Sequence, residues 1–207
     1  MRKVLPLVLL GACASSVPAT RYYQLAAPAT PAAVAGSGSV LAVEPLQTEG
    51  AYDDERIVYR VAPVRFDYYA YHHWSTTPGA MVGGYLQQAL ARSGKFRSVI
   101  RDTTADTSVV LGGRVVAIEE IDESKGHWLG HLAIELTLTD PKSGEVVWSH
   151  PYEESEPLGV QTPEGLARAL GVAMDRIVRD AAPAIADLAD RQARARGLTR
   201  LPLAAQP

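Results

Sequence analysis

The chain has 207 residues, of which 47% are hydrophobic, and its formal net charge is −3. This length fits one domain of ordinary size, and the hydrophobic fraction is high enough to form a substantial core. Nucleic acid is not expected as a partner, because 23 acidic residues outnumber 20 basic ones and a nucleic-acid surface needs Lys and Arg to neutralise phosphates.

The N-terminus predicts an export signal. A basic pair and the apolar run Val4–Leu10 precede the small residues Gly11 and Ala12, which is the pattern of a signal peptide. The run is too short to cross a bilayer, since a transmembrane helix needs roughly 20 apolar residues. We therefore predict that residues 1–12 are removed.

Cys13 is the only cysteine of the chain. An exported chain with one cysteine cannot form an internal disulfide, which leaves a free thiol, an intermolecular link or a lipid anchor. The position of Cys13 directly after a short apolar run favours the anchor, and the sequence Leu-Gly-Ala-Cys resembles the bacterial lipobox. We predict lipidation of Cys13, a lipidated tether over residues 13–20, and function at a membrane surface.

A single domain is predicted over residues 21–192, followed by a flexible tail over 193–207. RYYQL, residues 21–25, is typical of an edge strand, and the Pro-, Gly- and Ala-rich stretch 26–39 predicts a loose connection. Apolar or alternating runs predict the remaining strands: 40–43, 57–61, 64–71, 96–100, 109–121, 128–139 and 146–148.

Two helices are predicted from similar starts. Thr77-Pro78 and Thr162-Pro163 each offer an N-cap hydroxyl followed by proline at the first helical position, and apolar residues at helical spacing follow both. Pro183 should kink the second helix. Because the strands alternate between buried and wetter positions, we predict an α+β fold, a mostly antiparallel sheet with two helices packed on one side.

The sequence offers little for catalysis or metal binding. His72 and His73 are adjacent, so they point to opposite faces of a strand and cannot easily share a metal. The acidic cluster from Glu119 to Glu123 is interpreted as solvated surface at a strand end. The sequence has no serine-hydrolase elbow between a predicted strand and helix, and no phosphate-binding glycine loop precedes either predicted helix. We expect no catalytic residue, no metal site and no cofactor.

The aromatic run RFDYYAYHHWSTTP, residues 65–78, is the most distinctive feature. Strand alternation places Phe66, Tyr68, Ala70 and His72 on one face and Asp67, Tyr69, Tyr71 and His73 on the other. These aromatics are either half core and half strand surface or a surface for a partner or for self-association. Trp74 is expected to be buried. The candidate partner-binding residues are Tyr68, Tyr69, Tyr71 and His73.

Three segments together resemble the ABC-type transport auxiliary lipoproteins, the PqiC-like family. They are LGAC followed by RYYQL, the stretch ERIVYRVAPVRFDYYAYHHWSTTPGAMVGGYLQQALARSGKF, and the long amphipathic helix near the C-terminus. The resemblance covers about residues 21–190.

This resemblance implies a non-enzymatic lipoprotein anchored on the periplasmic face of the outer membrane. It implies partners as well, namely a permease, an ATPase and an MCE-type periplasmic protein that together move lipids across the envelope. Ala14, rather than Asp, after the cysteine also suits sorting to the outer membrane. The alternative hypothesis is a stand-alone lipoprotein that binds a lipid or small ligand in an apolar cavity between sheet and helices.

Overall fold

The structure is a computed structural model that describes residues 18–28, 36 and 38–198. Cys13, the predicted signal peptide and residues 199–207 of the predicted tail lie outside this range. The described chain forms one nine-stranded sheet and two helices.

The elements follow one another with short connections. The strands are β1 Arg21–Tyr23, β2 Val40–Val43, β3 Gln47–Thr48, β4 Arg56–Ala62, β5 Arg65–Trp74, β6 Ser98–Ile100, β7 Val109–Ser124, β8 His127–Thr139 and β9 Val146–Pro157. The helices are α1 Pro78–Arg92, between β5 and β6, and α2 Pro163–Ala195, after β9.

The sheet is built around β7. Along one edge β7 pairs antiparallel with β8, and along the other it pairs parallel with β2, β3 and β4 in turn. β5 is antiparallel to β4, β1 is parallel to β5, β6 is parallel to β2, and β9 is antiparallel to β8. Five of the eight pairings are thus parallel, so the prediction of a mostly antiparallel sheet is wrong and the sheet is mixed.

One face of the sheet is covered by the helices. Alternate residues of β8 are fully buried beneath them, namely Leu132, Ile134, Leu136 and Leu138. A Cβ on Gly130, the next position on this face, would lie 3.1 Å from the Ala169 side chain of α2. The helices also contact each other, since the hydroxyl of Tyr85 donates to the carboxylate of Asp175 at 2.8 Å. We call this side the helix-covered face and the other side the open face.

The two helix starts are stabilised differently. The hydroxyl of Thr162 accepts from the N–H of Gly165 at 3.2 Å, as the sequence predicts for α2. Thr77 makes no such bond, so that prediction is wrong for α1. Instead the hydroxyl of Thr48 accepts from the N–H of Gly79 at 3.0 Å. Only glycine permits this close approach, because a Cβ on Gly79 would lie 1.9 Å from the Leu46 carbonyl oxygen.

α2 is longer than the sequence pattern indicates. It continues through Pro183 to Ala195, because one proline removes a single helical hydrogen bond while the flanking turns stay packed on the sheet. Beyond its end, the guanidinium of Arg196 donates to the carbonyl oxygens of Thr107 at 2.8 Å and Ser108 at 3.3 Å. Residues 193–198, predicted as tail, are therefore docked on the domain.

β9 also exceeds its predicted length, since residues 146–148 are only its first three positions. Among the described strands it pairs with β8 alone, so its other edge is free. Pro151 lies within it, which fits an edge strand because proline cannot donate to a second neighbour. The rest of this strand is mostly polar, so its sequence lacks the alternating apolar positions by which strands were predicted.

Truncation of the α2 core face should destabilise the fold strongly. Leu170 and Ile177 are 0% and 1% exposed, so we expect Leu170→Ala and Ile177→Ala each to lower the free energy of unfolding by about 2–5 kcal/mol through the cavity left behind. Denaturant unfolding measures this. Asp187→Ala on the exposed side of α2 is the control and should change little. Small effects from both core substitutions would contradict the packing.

Two threonine variants test whether Thr48, rather than Thr77, stabilises the start of α1. Thr48→Val removes the hydroxyl that accepts from Gly79, and we expect a loss of about 1 kcal/mol, as for removal of a helix cap. Thr77→Val removes a hydroxyl with no cap bond and should stay within about 0.5 kcal/mol of the native protein. Thermal unfolding of both compares them, and a larger loss from Thr77→Val would contradict the assignment.

Candidate functional site

The aromatic strand β5 does not follow a simple alternation. It pairs with β4 over Arg65–Tyr68 and again at His73, with a register shift between, and its last three residues pair with β1. Because the residues between these two stretches lie in the irregular part, side chains predicted on one face have different environments. Tyr69 and Tyr71, predicted on the same face, accordingly differ in exposure, since Tyr69 is partly buried and Tyr71 is exposed.

The predicted residues separate into three environments. Tyr69 turns inward, and its hydroxyl donates to Glu120 Oε1 at 2.7 Å. The hydroxyl of Tyr68 donates to the Ala51 carbonyl oxygen at 2.8 Å. Tyr71 is 38% exposed, and His73 lies edge-on to Tyr22 with ring centroids 5.8 Å apart. Trp74 is buried, as predicted.

A row of aromatic and arginine side chains crosses the open face. The Arg56 guanidinium lies 4.3 Å from the ring centroid of Tyr68, and Phe66 meets that tyrosine edge-on at 5.9 Å. Arg60 lies 5.6 Å from the Phe66 centroid, and Tyr52 stacks on Phe66 at 6.4 Å. We call these five residues the aromatic stripe. Phe66 remains 37% exposed at its centre.

A buried charge network lies beside the stripe. Glu119 is 2% exposed and receives hydrogen bonds from Arg60 Nε at 3.0 Å and from the Tyr52 hydroxyl at 3.0 Å. On its other side Glu119 Oε1 is 3.3 Å from His131 Nδ1, and His131 Nε2 is 3.0 Å from Glu153. The network crosses four neighbouring strands of the open face.

These contacts fix the charge states of the network. Burial alone would raise the pKa of Glu119, but the hydrogen bonds from His131, Arg60 and Tyr52 outweigh burial and lower it. The hydrogen bond with Glu119 raises the pKa of His131. The network therefore favours an ionised Glu119 between two positive partners.

Glu120 points to the opposite face of the sheet from Glu119, and its buried carboxyl has different hydrogen-bond partners. It is 0% exposed on the helix-covered face, and of the described side chains only Tyr69 donates to it. Its Oε2 and the Oδ1 of Asp122, two residues further along β7, are buried without a hydrogen-bond partner among the described residues. Burial, with the negative charge of Asp122, raises the pKa of Glu120 to about 7. One proton held between the carboxyls would satisfy both.

The acidic cluster is thus partly buried, and its interpretation as solvated surface is wrong for Glu119 and Glu120. Sequence reasoning missed them because their burial depends on partners from β4, β5 and β8. Within residues 18–28, 36 and 38–198, no group of three His, Cys, Asp or Glu side chains is placed to hold a metal. None of the described helices is long and apolar enough to span a membrane. The geometry suits a contact surface supported by buried ion pairs.

The sequence and the fold also match known proteins. A sequence model of the family of ABC-type transport auxiliary lipoprotein components matches residues 23–182. This chain belongs to that family. The resemblance found in its sequence is thereby confirmed, and the chain is an auxiliary lipoprotein of an ABC-type transport system. No curated protein matches it.

Solved structures share the architecture. The crystal structure of a protein from Xanthomonas campestris superposes with a TM-score of 0.70 and 17% sequence identity, covering 84% of this chain and 99% of that one. An uncharacterized protein superposes with a TM-score of 0.64 and 14% identity, covering 81% and 99%. At such identities the likeness shows a shared fold.

The buried acid pair predicts a pH-dependent stability. The folded pKa of Glu120 is about 7, above its ordinary value of 4.5, so between these pH values the folded protein holds more protons than the unfolded chain. The free energy of unfolding should therefore fall as pH rises from about 4.5 to 7, by up to roughly 3 kcal/mol. Denaturant unfolding at several pH values measures this.

Glu120→Gln isolates that contribution, because Gln keeps the shape without the titration. The pKa of His131 is also raised, so its contribution to stability falls as pH rises as well. That contribution is present in both the native protein and the variant, and the difference between the two profiles therefore reports Glu120. We expect the fall with pH to be smaller in Glu120→Gln than in the native protein. Glu123→Gln, an exposed position on the same strand, is the control. Parallel profiles for native protein and Glu120→Gln would contradict the assignment.

Proposed function

We propose that this protein is a non-enzymatic lipoprotein subunit of an MCE-type intermembrane lipid transport system. It is held on the periplasmic face of the outer membrane by lipid on Cys13, and it docks to or completes the complex there. The observation that supports this most is the family match over residues 23–182. The lipobox-like sequence before Cys13 and Ala14 after it support the anchor and the choice of membrane.

The aromatic stripe is the proposed surface for the MCE-domain partner, and the permease and ATPase complete the system. Protein interfaces are enriched in aromatic residues and Arg, and large rings at their centres contribute most of the binding energy. The stripe has this composition on a sheet face that no described helix covers. Of the predicted partner residues, Tyr68 belongs to the stripe, while the hydroxyl of Tyr69 is bonded inside the domain.

The alternative, a ligand-binding lipoprotein, needs an apolar cavity between sheet and helices. In the described part of the chain that layer is filled by side chains such as Leu166, Leu170 and Ile177, each at most 1% exposed. A pocket of about 640 Å³ instead lies on the open face. Its lining includes Glu44, Arg114, Glu135 and Asp140, which does not favour a lipid chain.

Truncation at the centre of the stripe tests the partner surface. We expect Phe66→Ala to weaken binding to the purified MCE-domain protein of the same system by about thirtyfold, since removal of an interface anchor costs about 2 kcal/mol or more. Titration calorimetry measures the affinity. The fold should persist, because Phe66 is 37% exposed, and thermal unfolding checks this.

Val172→Ala is the matched control. Val172 is similarly exposed, at 42%, but lies on α2 and should leave affinity unchanged. Equal affinities for the native protein and both variants would reject the stripe as the partner surface. Absence of any binding by the native protein would reject the MCE-domain partner itself.

A further inference from the structure

The first described residues lead into a sheet edge that carries exposed tyrosines. β1 pairs with the end of β5 in parallel, with Arg21 opposite His72 and Tyr22 opposite His73. The chain therefore enters the sheet beside Tyr71, the residue that precedes His72. Residues 18–20, which lead to β1, are exposed.

Tyrosine exposure is confined to this place. The chain has nine tyrosines, all within the described residues, and only Tyr22 at 64% and Tyr71 at 38% are exposed. The Tyr22 ring rests edge-on against His73, which holds it at the surface. We call Arg21, Tyr22, Tyr71 and His73 the N-terminal edge.

The short distance in sequence from Cys13 limits where this edge can lie. Tyr22 lies nine positions after Cys13, and nine residue steps span at most about 30 Å when fully extended. A domain of this length is roughly 40 Å across. If Cys13 is anchored in a bilayer, the chain is too short to hold the N-terminal edge on the side of the domain that faces away from the membrane.

The chemistry of the edge suits a lipid headgroup layer. Tyrosine has an apolar ring and a polar hydroxyl, and it is enriched where membrane meets water for this reason. Arg21 adds an exposed cation that can meet lipid phosphate. The other exposed large hydrophobics of the described chain are aliphatic or belong to the stripe, so no second place combines exposed tyrosine with closeness to the anchor.

We propose that the N-terminal edge is a membrane-contacting surface, with Tyr22 and Tyr71 at the level of the lipid headgroups. This rests on the proposed lipid anchor at Cys13, and it assigns Tyr71 and His73 to the bilayer while the stripe is left for the protein partner. The contact fixes the orientation of the domain, because it adds a second attachment beside the anchor.

A fluorescent probe at position 22 tests the contact. Lipidation consumes the thiol of Cys13, so Tyr22→Cys in the full-length lipidated protein provides a unique thiol for an environment-sensitive fluorophore. The protein is placed in vesicles of phosphatidylethanolamine and phosphatidylglycerol, and lipids with a spin label at the headgroup serve as quenchers. Val146→Cys, at a 56% exposed site at the start of edge strand β9, is the matched control.

We expect blue-shifted emission and strong quenching by the lipids at position 22, and solvent-like emission with little quenching at position 146. Tyr71→Cys should behave like position 22, which guards against a local effect of one substitution. Solvent-like emission at 22 and 71 from protein that floats with the vesicles would overturn the contact. Blue-shifted emission without lipid quenching would also overturn it, because it indicates a protein neighbour.

If Cys13 does not carry a lipid anchor, the experiment gives a different result from a failure of the edge contact. A lipidated preparation that does not float with vesicles would overturn the anchor and this proposal with it, and Cys13→Ser, which cannot be acylated, shows the behaviour of such a chain. The anchor and the edge contact are thus judged by different measurements, flotation and quenching.

Discussion

The sixteen residues of β7 present backbone donors and acceptors on both edges, and those in the middle of the sheet must all be paired. β8 is long enough to pair along one edge, but the other edge receives three shorter strands in succession. The order of these strands places β4, and with it β5 and β1, at one end of β7. The aromatic stripe and the N-terminal edge therefore depend on the pairing of β4 with Glu119–Ile121.

Two adjacent carboxyls strengthen this end of the sheet from both sides. Glu119 is ionised among Arg60, Tyr52 and His131, while Glu120 shares its site with Asp122 and receives the Tyr69 hydroxyl. Each must offset the cost of removing a carboxyl from water, and removal of one partner from a buried ion pair such as Arg60–Glu119 commonly costs about 3–5 kcal/mol. β4, β5, β7 and β8 are thus linked by side chains as well as by their backbones.

Local patterns predicted where both helices begin, because proline position and apolar spacing are set within a few residues, although the cap was correctly predicted only for α2. The alternation of buried residues in β8 and the burial of Trp74 were also predicted from the sequence. The parallel pairings of β2, β3 and β4 with β7 were not, because strands far apart in sequence carry no local sign of direction. The same limit explains why Thr48 was missed as the partner of Gly79, and why the burial of Glu119 and the inward turn of Tyr69 were not foreseen. Each depends on a neighbour supplied by another strand.

The free edge of β9 is a hazard, since twelve residues of open strand could recruit another chain by strand addition. Pro151 interrupts the row of backbone donors on this strand, whereas Glu153 is paired with His131, and Glu154 and Glu156 are paired with Arg176. A second copy aligned on the same edge would meet a missing donor at Pro151. The proline thereby discourages the addition of a further strand, while β9 remains hydrogen-bonded to β8 along its other edge.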